Sequence, residues 1–148
     1  MPTTPPSTSS DGMQPARALP VTDLDTHTFW TSGAEGRLSI YRCQDCAYYI
    51  HPPVRFCPKC ESRNVAPEAV SGRGTITSFT INHQQWLPGL KVPYVLALVS
   101  IVEQDDVRLA TNIMNCAPES VTMDMPVKVF FEQVEDLWVP LFEPETVA

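Results

Sequence analysis

Two identical Cys-x-x-Cys pairs constrain this chain more than any other feature of its sequence. The first pair is Cys43 and Cys46, the second is Cys57 and Cys60, and ten residues separate the two pairs. Each Cys-x-x-Cys turn brings two thiolates to one metal at about 2.3 Å, and two such turns facing each other complete a closed tetrahedral shell. The spacing therefore predicts one structural Zn²⁺ site that all four cysteines hold.

Two disulfides and a rubredoxin-like iron site are the alternatives for the same four cysteines. Disulfides require an oxidising compartment, and the segment that starts at Met1 has neither the basic nor the apolar region of a secretory signal. His51 competes as a ligand only in principle, because four cysteines already fill the shell. The fifth cysteine, Cys116, is distant in sequence and is expected to be a small buried apolar residue.

Residues 37–68 are predicted to form a rubredoxin-like zinc ribbon, because residues 37–42 alternate polar and apolar as a strand does before the first cysteine pair. Four thiolates around Zn²⁺ carry a net charge of about −2, which donors must offset. Backbone N–H groups are the first candidates, and Arg42, Arg55 and Lys59 are close in sequence.

Residues 21–36 are predicted to contain a short helix, with Asp25 or Thr26 as its N-cap and Gly33 as its stop. Its aromatic residues, Phe29 and Trp30, either cover the ribbon or dock on another protein. Residues 1–20 carry five of the 15 prolines among serines and threonines, which is typical of a disordered leader.

Residues 69–148 are predicted to form a five-stranded barrel of the OB type. The strand at 74–81 alternates, with Ile76 on one face and Phe79 and Ile81 on the other. The strand at 93–102 is apolar throughout, so it is expected to be buried on both sides, and residues 103–106 form a polar hairpin turn. Strands at 107–113, 127–132 and 137–142 follow, with one short interruption around Pro118, as in an OB fold.

Length and charge limit the classes of function. With 148 residues, the chain holds one modest core and a metal-stapled module, and no run of eighteen apolar residues marks a membrane span. A soluble, cytoplasmic protein is expected. Residues 37–91 carry seven basic and three acidic side chains, whereas residues 92–148 carry two and ten. The middle third favours a small polyphosphate ligand, unless its arginines are only solvated or serve the zinc site.

A series of short motifs in a fixed order resembles a known family. The motifs are Phe29-Trp30, Gly36-Arg37-Leu38, the two cysteine pairs, His51-Pro52-Pro53, Gly72-Arg73-Gly74-Thr75, Pro93-Tyr94, Asn112-Ile113, Met125-Pro126-Val127 and Phe142-x-Pro144. They resemble the zinc-ribbon/OB-fold acyl-CoA-associated proteins, long catalogued as a domain of unknown function. The match covers about residues 24–145. The chain departs from the family pattern at Asp124, where glycine is common, and in the hairpin at 103–106, which lacks a glycine.

The resemblance implies a non-catalytic, acyl-CoA-binding accessory subunit of a thiolase-like enzyme, either a thiolase or a retro-aldolase. In such assemblies the OB barrel helps to hold the CoA part of the substrate, while the zinc ribbon and the N-terminal helix supply docking surface. Members of the family are similar to components of fatty acyl and steroid side-chain degradation. A hetero-oligomer with a thiolase-fold partner, a coenzyme A thioester as ligand and a structural zinc are therefore expected.

The loop from His83 to Lys91 is long for a small barrel, and long loops often carry function. A catalytic His83 would need an orienting carboxylate and a nucleophile, and the sequence indicates neither. We expect a ligand loop instead, in which Trp86 stacks on adenine while Lys91 and Arg73 meet phosphates. Packing of Trp86 on the barrel or on a partner is the alternative.

A single-stranded nucleic-acid-binding OB fold is the alternative from another functional class. Such folds bind through a basic groove with interleaved aromatic residues. Here the central strands carry one cation, Arg108, and the chain is acidic with a formal net charge of −7. Composition therefore argues against a nucleic-acid partner.

Overall fold

The computed structural model of the protein describes residues 18–146, so most of the predicted leader (residues 1–20) lies outside the described residues. The chain begins with a short helix, α1 (His27–Thr31), and a 3₁₀ turn (Ser32–Glu35). The ribbon strands are β1 (Leu38–Cys43), β2 (Tyr49–Ile50) and β3 (Val65–Val70). The barrel strands are β4 (Arg73–Asn82), β5 (Tyr94–Ile101), β6 (Gln104–Ile113), β7 (Pro126–Val134) and β8 (Leu137–Pro144), with a 3₁₀ turn (Pro118–Ser120) before β7.

The barrel is closed, with the strand order β4-β5-β6-β8-β7. Closure pairs every strand on both sides and removes exposed sheet edges. The predicted fold class, mainly β with a short N-terminal helix, a zinc ribbon and a five-stranded OB-fold barrel, is confirmed.

The predicted N-terminal helix is short, and Gly33 does not stop it. The helical segment continues from α1 into the 3₁₀ turn and terminates at Gly36, which has a left-handed φ of 72°. Gly33 is buried, and a Cβ atom there would lie 2.5 Å from Cδ1 of Phe131 and 2.6 Å from Cβ of Trp138. Gly33 therefore lets the segment pack closely on β7 and β8.

The ribbon sheet has the strand order β2-β1-β3, and sequence reasoning missed β3. This strand pairs antiparallel with β1 from Leu38 opposite Val70 to Cys43 opposite Val65. It carries Pro67, which an edge strand tolerates because one side of its backbone needs no partner.

Ribbon and barrel share one core. Leu38, Ile40 and Tyr49 of the ribbon strands belong to the same buried cluster as Ile76 and Val99 of the barrel. Burying each such side chain stabilises the fold by about 1.5–3 kcal/mol. The ribbon is therefore fixed on the barrel by apolar packing.

Strand β5 is not buried on both sides, contrary to the expectation from its apolar run. Val95, Ala97 and Val99 are buried, whereas Leu96 is 46% exposed and Leu98 is 38% exposed. The alternation follows from the pleat, which directs successive side chains to opposite faces of the barrel wall. An apolar run in this barrel thus leaves leucines on the outer face.

Strand β4 contains a bulge that overturns the predicted strict alternation. The register with β5 shifts between Ile76 and Ser78, and the extra residue, Thr77, donates a hydrogen bond from Oγ1 to the carbonyl of Leu98 at 3.1 Å. A bulge inserts one residue and so exchanges the faces beyond it. As a result Ile76 and Phe79 both contact the core.

The seam between β6 and β8 is the weakest pairing in the barrel. One pair, Ile113 and Phe142, joins these parallel strands. The carbonyl of Pro140 points towards β6, where it accepts a hydrogen bond from Oγ1 of Thr111 at 3.2 Å. The N–H and C=O of one strand residue point to the same side, so an N–H at position 140 would also face β6. Proline has no N–H, and the hydrogen-bond ladder therefore lacks a donor at this position.

Candidate functional site

Four sulfur atoms converge at the tip of the ribbon. The Sγ atoms of Cys43, Cys46, Cys57 and Cys60 lie within 4.8 Å of one another, and none of these cysteines forms a disulfide. Sγ of Cys43 is 3.5 Å from Sγ of Cys60, and Sγ of Cys46 is 3.6 Å from Sγ of Cys57. A tetrahedral shell with metal–sulfur distances of 2.3 Å has edges of about 3.8 Å. The cluster therefore fits one structural Zn²⁺.

The two cysteine turns have the same backbone geometry. Ala47 and Glu61, each directly after the second cysteine of its pair, have φ values of 67° and 63°. The Ala47 N–H donates to the carbonyl of Cys43 at 2.9 Å, and the Glu61 N–H donates to the carbonyl of Cys57 at 2.8 Å. The left-handed conformation is uncommon for residues other than glycine, so the turn geometry is strongly imposed.

Backbone N–H groups face the sulfur atoms, as expected for offsetting thiolate charge. The Cys46 N–H donates to Sγ of Cys43 and the Lys59 N–H donates to Sγ of Cys57, each at 3.4 Å. The hydrogen bond from the Cys46 backbone, followed by those from the Asp45 backbone and from the neighbouring thiols, lowers the pKa of Cys43 to about 7 against the opposing effect of burial. This thiol is thereby prepared to bind metal as a thiolate.

The cations that lie near the cysteines in sequence have other partners. The Arg42 guanidinium pairs with Glu68 at 3.0 Å, and that of Arg55 pairs with Asp25 at 3.1 Å. The Lys59 ammonium lies over an aromatic ring, 5.5 Å from its centroid. Their contribution to the charge balance of the centre is therefore indirect, and the N–H groups are the direct donors.

A polar junction fixes the ribbon against the barrel. The Gln104 side chain caps Tyr49, accepting from its N–H at 2.9 Å and donating to its carbonyl at 2.9 Å. The Tyr48 hydroxyl donates to Asp106 at 2.6 Å, and this bond, followed by one from Gln104, holds the pKa of Asp106 below its usual value. The predicted hairpin turn at 103–106 is thus the start of β6 and an anchor for β2.

The structure does not bring Arg73 together with Trp86 and Lys91. Arg73 begins β4, whereas the loop with Trp86 and Lys91 follows the other end of this ten-residue strand, roughly 30 Å along it. The Arg73 guanidinium is also paired with Glu145 at 2.8 Å. The predicted ligand residues therefore divide into two places, one at each end of β4.

The loop at residues 83–93 presents an exposed indole. Trp86 is 68% exposed, and its Nε1–H donates to Oδ1 of Asn82 at 3.1 Å. Its polar atom is satisfied within the chain, so the ring faces are free for stacking or docking. Lys91 and His83 are exposed in the same loop.

His51 differs from the other two histidines because it is largely buried. Its ring lies against Phe29, with centroids 5.2 Å apart, and burial lowers its pKa. It lies outside the cysteine cluster, in agreement with a packing role rather than a ligand role. His27 and His83 are exposed.

A cavity of about 430 Å³ lies where α1, the His51–Pro53 turn and the β6–β8 seam meet. Sequence reasoning missed this cavity. Both Phe29-Trp30 and His51-Pro52-Pro53 were recognisable motifs, but nothing in their spacing indicates that they face the same part of the barrel. Within residues 18–146, no helix is long and apolar enough to cross a membrane.

Comparison with known proteins matches both parts of the fold. Residues 30–66 match the family model described as the rubredoxin-like zinc ribbon domain of ChsH2. Residues 67–132 match the model described as the C-terminal OB-fold domain of ChsH2. The resemblance inferred from the motifs is confirmed.

The curated proteins that this chain resembles include hydratase alpha subunits and scaffold proteins. The chain is 33% identical over 129 residues to the "Probable enoyl-CoA hydratase alpha subunit" of Thermomonospora curvata, covering 86% of this chain and 40% of the relative. It is 32% identical over 141 residues to the 3-oxo-4,17-pregnadiene-20-carboxyl-CoA hydratase alpha subunit of Mycobacterium tuberculosis, covering 95% and 44%. A DUF35 domain-containing scaffold protein of Methanocaldococcus jannaschii is 28% identical over 97 residues, covering 64% and 67%.

A solved structure matches over nearly its whole length. The chain from the Ltp2-ChsH2(DUF35) aldolase is 31% identical, with a TM-score of 0.77, covering 85% of this chain and 98% of that chain. By contrast, this chain spans well under half the length of the two hydratase alpha subunits. Those relatives therefore contain a large part that has no counterpart in the sequence of this chain.

Proposed function

The chain belongs to the ChsH2 (DUF35) family of zinc-ribbon and OB-fold proteins, and on that premise we propose that it is a non-catalytic accessory subunit of a thiolase-like enzyme. It binds an acyl-CoA and docks on a thiolase or retro-aldolase that degrades fatty acyl groups or steroid side chains. The similar chain of the Ltp2-ChsH2(DUF35) aldolase supports an assembly of this kind. The steroid-CoA name of one relative supports the substrate class.

An exposed apolar surface beside the ribbon is the observation that carries this proposal. We call it the docking surface, and its side chains are Val21 (94% exposed), Leu24 (87%), Val54 (39%) and Phe56 (52%). The ion pair between Asp25 and Arg55 brings the two segments together. Exposed apolar side chains beside charged ones are typical of protein interaction sites.

The CoA part of the proposal depends on the loop at residues 83–93. An exposed indole offers a face to adenine, and the Lys91 ammonium in the same loop offers a charge to phosphate. Arg73 is a separate, weaker candidate because Glu145 already pairs with it. A ligand on the loop should therefore depend on Trp86 and Lys91 and be insensitive to Arg73→Ala.

The alternative, a single-stranded nucleic-acid binder, has less support. OB folds bind oligonucleotides on the outer face of the second and third strands, here β5 and β6. That face presents Leu96, Leu98 and Ala110 beside one cation, Arg108. An apolar wall of this kind does not complement a phosphate backbone.

Co-purification tests the docking surface. The tagged chain is expressed together with thiolase-fold enzymes encoded near its own gene, and the complex is isolated by affinity and size-exclusion chromatography. Phe56→Glu and Leu24→Glu should abolish the complex, because they place a charge in a desolvated interface. Met123→Glu is the matched control, since Met123 is 53% exposed on another part of the barrel.

Activity assays test the accessory role. The isolated chain should not turn over acyl-CoA, whereas its complex should show higher activity than the partner enzyme by itself. Robust turnover by the isolated chain would reject the non-catalytic assignment. If both glutamate variants still form the complex, the docking surface is rejected. The partner enzyme would then bind another face of the chain.

A further inference from the structure

We propose that the cavity between α1, the His51–Pro53 turn and the β6–β8 seam binds a small, uncharged, mostly hydrocarbon molecule that carries one hydrogen-bonding group. The residues that line this cavity are different from those of the docking surface, which it borders, and from those of the loop at residues 83–93. The proposal does not depend on the accessory function, because it concerns binding by the chain itself.

The cavity has the size of a ligand site. Its volume of about 430 Å³ falls in the range of roughly 300–1,000 Å³ that is usual for small-molecule pockets. The floor is the β6–β8 seam, where Leu109, Leu141 and Phe142 are 3%, 1% and 0% exposed. The floor therefore consists of residues of the barrel wall, whereas the side chains of the docking surface project outwards.

The seam explains why the cavity exists. Pro140 lacks the N–H that would continue the β6–β8 ladder, so the backbone pairing is limited to Ile113 and Phe142, and the side chain of Thr111 bonds to the Pro140 carbonyl instead. Phe29 and Trp30 from α1 form one wall over the gap, and Pro52 and Pro53 form another. These walls are made of aromatic and proline rings, and the cavity lies between them.

The lining determines the class of ligand. Among the sixteen lining residues that the structure describes, none has a charged side chain. Burying a phosphate or carboxylate here would leave the charge without a partner, at a high cost in free energy. The phosphates of CoA are therefore excluded from the cavity, and an uncharged chain or ring system is favoured.

His51 supplies the hydrogen-bonding group. Its ring lines the cavity, and residues 18–146 provide no hydrogen-bond partner for its two ring nitrogens. Burial lowers its pKa, so the ring is neutral near pH 7 and offers one N–H donor and one acceptor. A hydroxyl or carbonyl group on the ligand would satisfy one of these positions.

Titration of the full chain with 2-naphthol, followed by amide and indole NMR spectra, tests the proposal. We expect saturable shifts at the Trp30 indole N–H and at the backbone of Ala110 and Thr111, with little change at the Trp86 indole. The matched ligand is 2-naphthyl phosphate, which has the same rings and a charged group. It should bind at least about tenfold more weakly, because no cation lines the site.

Two variants locate the binding. Ala110 is exposed on β6 and lines the cavity, so Ala110→Trp should fill it and abolish 2-naphthol binding. Thr80→Trp, at an exposed position of β4 outside the cavity, should leave binding unchanged. His51→Phe keeps an aromatic ring against Phe29 and should weaken binding about two- to tenfold, the usual effect of losing one neutral hydrogen bond.

Three results would overturn the proposal. The first is the absence of saturable shifts in the folded chain. The second is equal affinity for the phosphate analogue. The third is unchanged affinity in both Ala110→Trp and His51→Phe. If the unsubstituted chain does not bind 2-naphthol and Ala110→Trp abolishes binding of the partner enzyme, the cavity is instead a site of protein docking.

Discussion

Replacing Gln104 by alanine should loosen the zinc ribbon from the barrel. The Gln104 amide makes two hydrogen bonds to the backbone of Tyr49, on the edge of β2 that faces away from β1. It also donates to Asp106, which accepts the hydroxyl of Tyr48. One side chain thus replaces the strand that would otherwise pair with this edge.

The expected loss of stability follows from these contacts. Each hydrogen bond contributes about 0.5–1.5 kcal/mol net, and a buried backbone group left without a partner costs about 1–3 kcal/mol. Tyr49 is 9% exposed, so water replaces the lost partners only in part. We therefore expect Gln104→Ala to lower the free energy of unfolding by about 3 kcal/mol, equivalent to about 6–12 °C in Tm for a domain of this size.

Urea unfolding and amide hydrogen exchange measure the effect. Gln104→Ala should lower the unfolding midpoint and accelerate exchange of the Tyr49 amide more than that of core amides in β5. Gln85→Ala is the matched control, because the Gln85 amide also donates to a backbone carbonyl, that of Leu90 at 3.0 Å, but in an exposed loop. This control should cost less than about 0.5 kcal/mol.

The reasoning would be refuted if Gln104→Ala cost no more than Gln85→Ala. It would also be refuted if the Tyr49 amide exchanged at the same rate in both variants. Either outcome would mean that the shared apolar core alone holds the ribbon in place.

Removing a metal ligand should prevent folding: Cys57→Ser should give insoluble or zinc-free protein, whereas Cys116→Ala should remain folded, as judged by zinc content and circular dichroism. About one equivalent of zinc should accompany the freshly purified chain, and less than about half an equivalent would reject the site. The lowered pKa of Asp106 means that its contacts stabilise the fold above its unfolded pKa, near 3.8, and that this contribution disappears as the pH falls through the lower folded pKa. Asp106→Asn should therefore flatten the pH dependence of unfolding below about pH 5, and an unchanged slope would contradict the assignment. Trp86→Ala and Lys91→Ala should each weaken CoA-ester binding to the complex by about 1–2 kcal/mol in calorimetry. A loss of partner affinity in Trp86→Ala, with CoA affinity intact, would make the loop a docking element, and no change in either would remove the loop from the site.

The zinc centre and the order of the elements were accessible from sequence because their signals are local. Two cysteines three positions apart can reach one metal whatever surrounds them, so spacing alone identified the cluster of Cys43, Cys46, Cys57 and Cys60. The barrel strands were recognisable from apolar and β-branched runs bounded by turns. Five such strands with one short interruption predicted a barrel of the OB type. The family resemblance added the expected accessory role, which no periodicity in the chain indicates.

Errors arose where one segment's conformation depends on a distant segment. The bulge at Thr77 follows from how β4 must coil to pair with β5, so alternation in the sequence misplaced Phe79 and Ile81. The apolar run of β5 appeared doubly buried, although Leu96 and Leu98 face outwards where no helix covers the barrel. Gly33 appeared to be a helix stop because its contact with Phe131, 98 positions later in the chain, is invisible in a local pattern.

The functional surfaces show the same division. Which residues can bind a metal, stack or carry charge is evident from the amino-acid sequence, because these are properties of side chains. Which of those residues meet depends on the fold. It placed Arg73 at one end of β4 and Trp86 at the other, joined Gln104 to Tyr49, and closed α1 and His51 over the seam at Pro140. Those contacts join segments that are distant in sequence, and only the packing of the whole chain determines their distances.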